Sequence, residues 1–217
     1  MLQLAAVFGA SFTLALSGAL MPGPLFTITI SESARCGFKA GPLLMIGHAV
    51  LELLLVIAII KGLGAYLQLP PVLGVIALLG GILLLYLGTD MVRTAGRLSL
   101  QTDPEQPHPR HGRHPITLGI LASLSNPYWT LWWATIGLGY LATAMKFGYA
   151  GVAAFFLGHI AADFAWYSLL SLGMSRGKAF LKDSGYRLLI RVCGVFLFCF
   201  GGWFIFSARN FLFSNLS

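Results

Sequence analysis

Charged residues are scarce in this chain: Asp, Glu, Lys and Arg together make up 10% of its 217 residues. A soluble globular domain carries about 25% charged residues, so this deficit argues against a water-soluble protein. Hydrophobic residues reach 57% of the chain, and several uncharged stretches exceed the length of about 20 residues that a helix needs to cross a bilayer. The sequence therefore predicts an all-α membrane protein surrounded by lipid.

Cysteine is also rare, and the three cysteines form no Cys-x-x-Cys pair. This absence excludes the common redox motif and the zinc sites built on such pairs. A thiol-relay membrane enzyme needs paired intramembrane cysteines, whereas Cys193 and Cys199 share one predicted span and Cys36 lies in a loop. A His-Glu-x-x-His protease motif is absent as well. We expect neither an enzyme nor a bound cofactor.

The N-terminus lacks the basic start of a secretory signal, so we expect the first apolar segment to be retained. Hydropathy predicts about six spans, placed near residues 4–31, 42–66, 72–95, 116–144, 148–175 and 186–209. Most of the 14 basic residues lie in or beside the first, third and fifth connections. The positive-inside rule places these connections in the cytoplasm and both termini outside. The net charge of +7 therefore reports topology, and we expect no nucleic-acid partner.

The predicted spans divide the chain into two halves. Residues 1–95 form a first three-helix repeat, residues 96–115 a cytoplasmic linker, and residues 116–217 a second three-helix repeat. Because an odd number of spans separates the start of one half from the start of the other, the halves have opposite orientations. This organisation is the inverted repeat that is typical of secondary transporters.

A Gly-His-x-x-x-acid pattern occurs twice, with His48 and Glu52 in the second span and His159 and Asp163 in the fifth. Residues four apart share one face of a helix. An acid at the bilayer centre costs about 3 kcal/mol on insertion scales, so both acids should face a cavity or a partner. Inverted halves would bring the carboxylates together at the centre, with one imidazole towards each side. The alternative is that each pair only holds helices together.

Two helix-breaking motifs occupy corresponding positions in the halves, namely Pro22-Gly23-Pro24 in the first span and Asn126-Pro127 in the fourth. Proline removes a backbone donor and frees carbonyl groups that need other partners. Matched breaks in two halves indicate the substrate pathway of a transporter, and the alternative is that each is an ordinary proline kink.

These motifs give the chain a resemblance to a known family. It resembles the LysE/RhtB-type amino-acid exporters in the Pro-Gly-Pro of the first span, the Asn-Pro of the fourth, and a set of glycines comprising Gly37, Gly41, Gly47, Gly80, Gly81 and Gly88. The resemblance covers nearly the whole chain. It implies a multispan exporter in the plasma (inner) membrane for amino acids or similar metabolites, driven by the proton gradient.

Aromatic residues follow the second break, namely Tyr128, Trp129, Trp132 and Trp133. We interpret this run mainly as packing and as part of an interfacial belt, with cation binding as the alternative. Trp166 lies three residues beyond Asp163 and is expected to line a cavity beside it.

The sequence thus predicts proton-coupled export of an amino acid or similar small metabolite. Glu52 and Asp163 would bind protons and a substrate ammonium group, and His48 and His159 would relay protons. Because homodimers are common among small carriers, a second copy of the chain is one candidate partner. The substrate and the coupling ion stay open.

The alternative function is export of a divalent metal. Two imidazoles and two carboxylates form a plausible ligand set for zinc or a related ion. Three further histidines, His108, His111 and His114, lie in the linker. Such a tract can chelate a metal, but solvated linker is the interpretation that we favour.

Overall fold

A computed structural model describes residues 1–67, 69–97, 114–177 and 183–212. The first half contains α1 (Leu2–Ala19), α2 (Pro24–Cys36), α3 (Ala40–Ala58), α4 (Gly64–Leu67) and α5 (Pro70–Thr94). The second half contains α6 (Pro115–Leu124), α7 (Pro127–Trp132), α8 (Leu138–Met145), α9 (Gly148–Gly177) and α10 (Asp183–Leu212). No strand occurs within the described ranges, as expected for an all-α protein.

Among the described residues, five helices are long and apolar enough to cross a membrane, covering Leu2–Ala19, Ala40–Leu67, Pro70–Arg97, Gly148–Gly177 and Asp183–Leu212. The span predicted near 116–144 is divided among α6, α7, a π-helical turn at Trp133–Gly137 and α8. The fold class is therefore that of a multi-pass membrane protein. The count of about six spans, the inverted repeat and the outside termini stay predictions.

The span predicted at 4–31 is broken after Ala19, and α2 begins at Pro24. Gly23 precedes α2 in an extended conformation, with φ −146° and ψ −173°. A proline is tolerated at the first position of a helix, where its missing N–H group has no helical partner. The Pro-Gly-Pro motif therefore ends one helix and starts the next.

The second break lies between α6 and α7, where Asn126 caps α7. Its Oδ1 atom accepts a hydrogen bond of 3.1 Å from the backbone N–H of Tyr128. This bond satisfies one of the donors that the start of a helix leaves unpaired. Both predicted breaks are thus present as interruptions of a helix.

Glycine contacts bring α3 and α6 unusually close. A Cβ atom on Gly47 would overlap the carbonyl group of Ile116, and one on Gly119 would overlap the carbonyl group of Leu44. Small residues permit such backbone contact between membrane helices. This close approach sets the distance from His48 on α3 to the end of α6.

Glycines shape two further helix pairs in the same way. A Cβ atom on Gly158 of α9 would overlap the carbonyl group of Phe8 on α1. In the pairing of α5 with α10, a Cβ atom on Gly88 would lie 2.6 Å from the carbonyl oxygen of Gly194. The pairs α1–α9 and α3–α6 meet around the four ionisable residues, whereas α5 and α10 pack against each other beside them.

Candidate functional site

Four ionisable side chains meet inside the protein. His48 and Glu52 come from α3, His159 and Asp163 come from α9, and all four are buried. One ligand atom from each residue lies within 4.8 Å of those of the other three. The spacing of four residues places each pair on one helix face, and the packing of α3 near α9 joins the two faces. The convergence predicted for the carboxylates is therefore observed.

Each imidazole contacts both carboxylates. Nε2 of His48 lies 3.2 Å from Oε1 of Glu52 and 3.6 Å from Oδ2 of Asp163. Nε2 of His159 lies 3.1 Å from Oε2 of Glu52 and 3.4 Å from Oδ2 of Asp163. The charges of the four groups are thus tightly linked, because a proton gained by one changes the field at the other three.

Ser123 on α6 fixes the orientation of the His48 ring. Its hydroxyl group donates to the carbonyl oxygen of Gly119 at 2.7 Å, and its oxygen lies 2.6 Å from Nδ1 of His48. Both contacts are satisfied together when the hydroxyl group donates to the carbonyl oxygen and the serine oxygen accepts from an N–H group at Nδ1. His48 therefore presents Nε2 to the carboxylates. The serine was not predicted from the sequence, since it lies three residues before Asn126 and belongs to no recognised motif.

Two tryptophans bind Glu52 directly. The indole Nε1 atoms of Trp129 and Trp133 each donate to Oε1 of Glu52 at 2.8 Å. The prediction that these two residues pack is confirmed, since Trp133 lies in a buried hydrophobic cluster and Trp129 packs against it, but their bonds to Glu52 were not predicted. Their spacing of four residues was the available signal, because it places both N–H groups on one helix face. The two bonds fix the position of Oε1, and the other oxygen, Oε2, faces His159.

Several polar atoms of the site lack a hydrogen bond. Oε2 of Glu52, Oδ2 of Asp163 and Nδ1 of His159 are buried, and none has a hydrogen-bond partner among the described residues. Both carboxylate oxygens nevertheless lie within 3.6 Å of an imidazole Nε2 atom. Buried polar atoms are normally paired, so this site has capacity to bind a proton, a water molecule or a cation.

A cavity of about 40 Å³ opens beside the four residues. Its wall continues with residues that flank the first break, with Asn126 of the second break and with the aromatic run, namely Ala15, Gly18, Ala19, Leu25, Asn126, Tyr128, Trp129, Trp132 and Tyr167. Asn126 lines the cavity itself and also contacts the first break, since a Cβ atom on Gly23 would lie 3.3 Å from its Nδ2 atom. The structure thus brings Gly23 and Asn126 together next to the ionisable residues. Pro22 and Pro24 do not line the cavity.

Tyr167, not Trp166, extends the α9 wall of the cavity. The expectation that Trp166 lines it was wrong. A residue four positions after Asp163 lies about 40° around the helix from it, whereas a residue three positions after lies about 60° to the other side. Trp166 instead packs among the buried residues around Leu44 and Met45.

The linker histidines are not part of the four-residue cluster. His108 and His111 fall outside the described residues, as does most of the predicted linker. His114 caps α6, where its Nδ1 atom accepts from the backbone N–H of Ile116 at 3.4 Å.

The sequence also contains one hydrolase-like motif, which was not recognised among the predicted sites. Gly173-Met174-Ser175-Arg176-Gly177 matches the spacing Gly-x-Ser-x-Gly, which in hydrolases occupies a sharp turn between a strand and a helix. Here it lies within α9, and Ser175 donates to the carbonyl oxygen of Leu172 at 3.1 Å. The motif therefore lacks the structural context of a catalytic serine.

Comparison with known proteins agrees with the sequence and the fold. A family model described as LysE type translocator matches residues 16–208, which include both breaks and all four ionisable residues. No curated protein and no solved structure gave a significant match. Members of this family are transporters, which is consistent with the expectation that the chain is not an enzyme. The chain belongs to the LysE type translocator family and is a multi-pass membrane protein that exports small molecules.

Proposed function

We propose that this translocator exports an amino acid or a similar small metabolite across the plasma membrane in exchange for protons. One observation carries the proposal: two carboxylates and two imidazoles from α3 and α9 meet at a buried cavity next to two helix breaks. Ionisable groups inside a membrane protein mark ion and substrate pathways.

The carboxylates of Glu52 and Asp163 are the proposed binding groups. Either can hold a proton or the ammonium group of a substrate. Asn126 and the indole ring of Trp132, which line the same cavity, supply an amide and an aromatic face to the rest of the molecule.

The imidazoles of His48 and His159 are the proposed proton carriers. Each Nε2 atom lies within 3.6 Å of both carboxylates, so a proton passes between an imidazole and a carboxylate without a large movement. Histidine is suited to this role because its ordinary titration range lies near neutral pH. A proton that crosses about 100 mV supplies about 2.3 kcal/mol, enough to hold a metabolite concentration ratio of about fifty.

We assign the cavity to a closed state. By this measure one water molecule needs about 10–15 Å³, and the cavity has about 40 Å³. An amino acid does not fit into this volume. Substrate entry therefore requires helices to separate at the breaks, which act as pivots.

The alternative of divalent-metal export is not favoured by the family match. We further propose that substrate and protons pass through the four ionisable residues, and transport by variants of these residues tests this.

Efflux from loaded proteoliposomes tests the proposed function. Purified protein is reconstituted with a panel of labelled amino acids, and their loss is followed with and without an imposed proton gradient. The double variant Glu52→Gln/Asp163→Asn, which lacks both carboxylates, is the negative control (the blank). Gradient-driven loss of one or a few amino acids, absent in the blank, is expected. Loss that is independent of the gradient, or equal in the blank, contradicts proton antiport through this site.

A further inference from the structure

We propose that His48, Glu52, His159 and Asp163 bind one divalent transition-metal ion of the Zn²⁺ class, which replaces two protons at the site. This inference concerns binding and goes beyond the proposed export of an amino acid. A bound ion would hold α3 and α9 together and compete with protons and substrate for the same side chains.

The imidazole–carboxylate contacts are close to the spacing of a tetrahedral site. Zinc–nitrogen and zinc–oxygen bonds of about 2.0–2.1 Å place neighbouring ligands of a tetrahedron about 3.3 Å apart. Four separations between an imidazole nitrogen and a carboxylate oxygen are 3.1, 3.2, 3.4 and 3.6 Å, with His48 facing Oε1 and His159 facing Oε2 of Glu52. One ligand atom from each of the four residues lies within 4.8 Å of those from the other three, so an ion would draw the more distant of these atoms together by up to about 1.5 Å to reach tetrahedral spacing.

The neighbours of the site leave suitable atoms available for an ion. Because Ser123 accepts from Nδ1 of His48, the other nitrogen, Nε2, faces the carboxylates as a ligand does. The indole groups of Trp129 and Trp133 bind Oε1 of Glu52. Oε2 of Glu52 and Oδ2 of Asp163 have no hydrogen-bond partner among the described residues.

The charges and donor types favour a transition metal. Two carboxylates balance the charge of one divalent ion, just as two bound protons would. Imidazole nitrogen suits zinc, copper, iron and nickel, whereas magnesium and calcium prefer oxygen ligands. Exchange of two protons for one ion leaves the net charge of the buried site unchanged, which avoids the large penalty for an isolated charge in lipid.

Proton release gives a direct readout of this exchange. Metal binding to protonated ligands releases their protons. The other titratable groups that line the cavity are the phenols of Tyr128 and Tyr167, and both stay protonated near neutral pH in their ordinary state. The release therefore reports the four proposed ligands.

Calorimetric titration with Zn²⁺ tests the proposal on the purified full chain in detergent. The linker histidines are first replaced in the variant His108→Ala/His111→Ala/His114→Asn, where Asn keeps a capping group at the start of α6. Titration in buffers with different ionisation enthalpies counts the protons released. We expect one ion per chain and the release of about two protons per ion from the imidazole and carboxylate ligands.

Variants assign the binding to the site. His159→Gln and Glu52→Gln should weaken binding by at least about tenfold, and Ser123→Ala, which acts through His48, by about tenfold or more. Ser175→Ala is the matched control, since Ser175 lies on α9 and contacts only its own helix backbone in the hydrogen bonds described. The control should bind like the parent.

Two readouts separate loss of ligands from loss of folding. Zn²⁺ should raise the melting temperature of the linker variant and the control, and leave that of His159→Gln unchanged. Co²⁺, used as a spectroscopic probe, should give the intense visible bands of a tetrahedral site with nitrogen and oxygen ligands. Absence of stoichiometric binding in the linker variant, or binding unaffected by both His159→Gln and Glu52→Gln, overturns the proposal.

The test of zinc binding is independent of the test of amino-acid export. Zinc binding without gradient-driven amino-acid efflux contradicts only the proposed function. Efflux from chelator-treated protein without any zinc binding contradicts only the metal site.

Discussion

Nε2 of His159 lies 3.1 Å from Oε2 of Glu52, although the two residues come from opposite halves of the chain. The contact joins an imidazole on α9 to a carboxylate on α3. A matching contact joins Nε2 of His48 on α3 to Oδ2 of Asp163 on α9 at 3.6 Å. Loss of charge at either carboxylate therefore weakens the contacts of both imidazoles. Such a shared site responds as a unit to a proton, a substrate or a metal ion.

Replacement of Glu52 by Gln should abolish gradient-driven efflux while the protein still inserts into the membrane. Gln cannot exchange a proton, but its amide oxygen still accepts a bond from an indole N–H group, so the fold is preserved. Efflux from proteoliposomes and the amount of folded protein measure the two effects. Asp90→Asn is the control, because Asp90 is exposed at the end of α5. Full efflux in Glu52→Gln would remove Glu52 from the coupling mechanism.

Replacement of Trp133 by Phe should destabilise the protein by about 1–3 kcal/mol. The ring volume is largely kept, but the N–H group that donates to Glu52 at 2.8 Å is lost. Thermal or denaturant unfolding in a mild detergent measures the change in the free energy of unfolding. Trp203→Phe provides the comparison, since Trp203 is exposed on α10. Equal stability of both variants would argue that the indole bond contributes little.

Replacement of Ser123 by Ala should leave Nδ1 of His48 buried without its present partner, at a cost of about 1–3 kcal/mol. Because the ring then loses its fixed orientation, the dependence of efflux on pH should also change. Unfolding and a pH profile of efflux measure the two effects. Ser125→Ala serves as the control, since in the hydrogen bonds described the side chain of Ser125 donates only to the carbonyl oxygen of Ala122, at 3.1 Å. A parent-like pH profile in Ser123→Ala would show that the serine has only a structural role.

Replacement of Gly47 by Ala should push α6 away from α3, because the new Cβ atom overlaps the carbonyl group of Ile116. Overpacking of this kind costs about 1–3 kcal/mol, and the shift should also lengthen the contact between Ser123 and His48. Unfolding and zinc titration measure the two consequences. In Gly202→Ala, nothing lies within 4 Å of the added atom, so stability should be unchanged or slightly increased. Tolerance of Ala at position 47 would contradict the close packing of α3 and α6.

Much of the site could be predicted from local sequence. The spacing of His48 and Glu52, and of His159 and Asp163, fixes each pair on one face because a helix has a regular period. Burial in lipid then forces those faces inward, since an isolated acid is costly there. Proline chemistry predicts the breaks as directly, because a proline in a helix interior lacks the N–H group for a helical hydrogen bond and is tolerated only in the first turn.

The aromatic residues show where local reasoning stops. The sequence favours packing and an interfacial belt for Trp129 and Trp133 and places both on one helix face, but it does not show which residue that face meets. Their role as donors to Glu52 depends on how α7 approaches α3. The same is true of Ser123, whose contact with His48 exists because Gly47 and Gly119 let two backbones touch.

The sequence by itself determined the membrane class, the family, the two breaks and the two helix faces that carry ionisable groups. Each follows from composition or from a periodic pattern within one segment. Only the tertiary structure decided that Oε2 of Glu52 faces His159, that two indoles hold Oε1, and that Tyr167 rather than Trp166 lines the cavity. These features depend on the relative rotation and separation of helices distant in sequence, which glycine contacts and side-chain packing set jointly across the whole molecule.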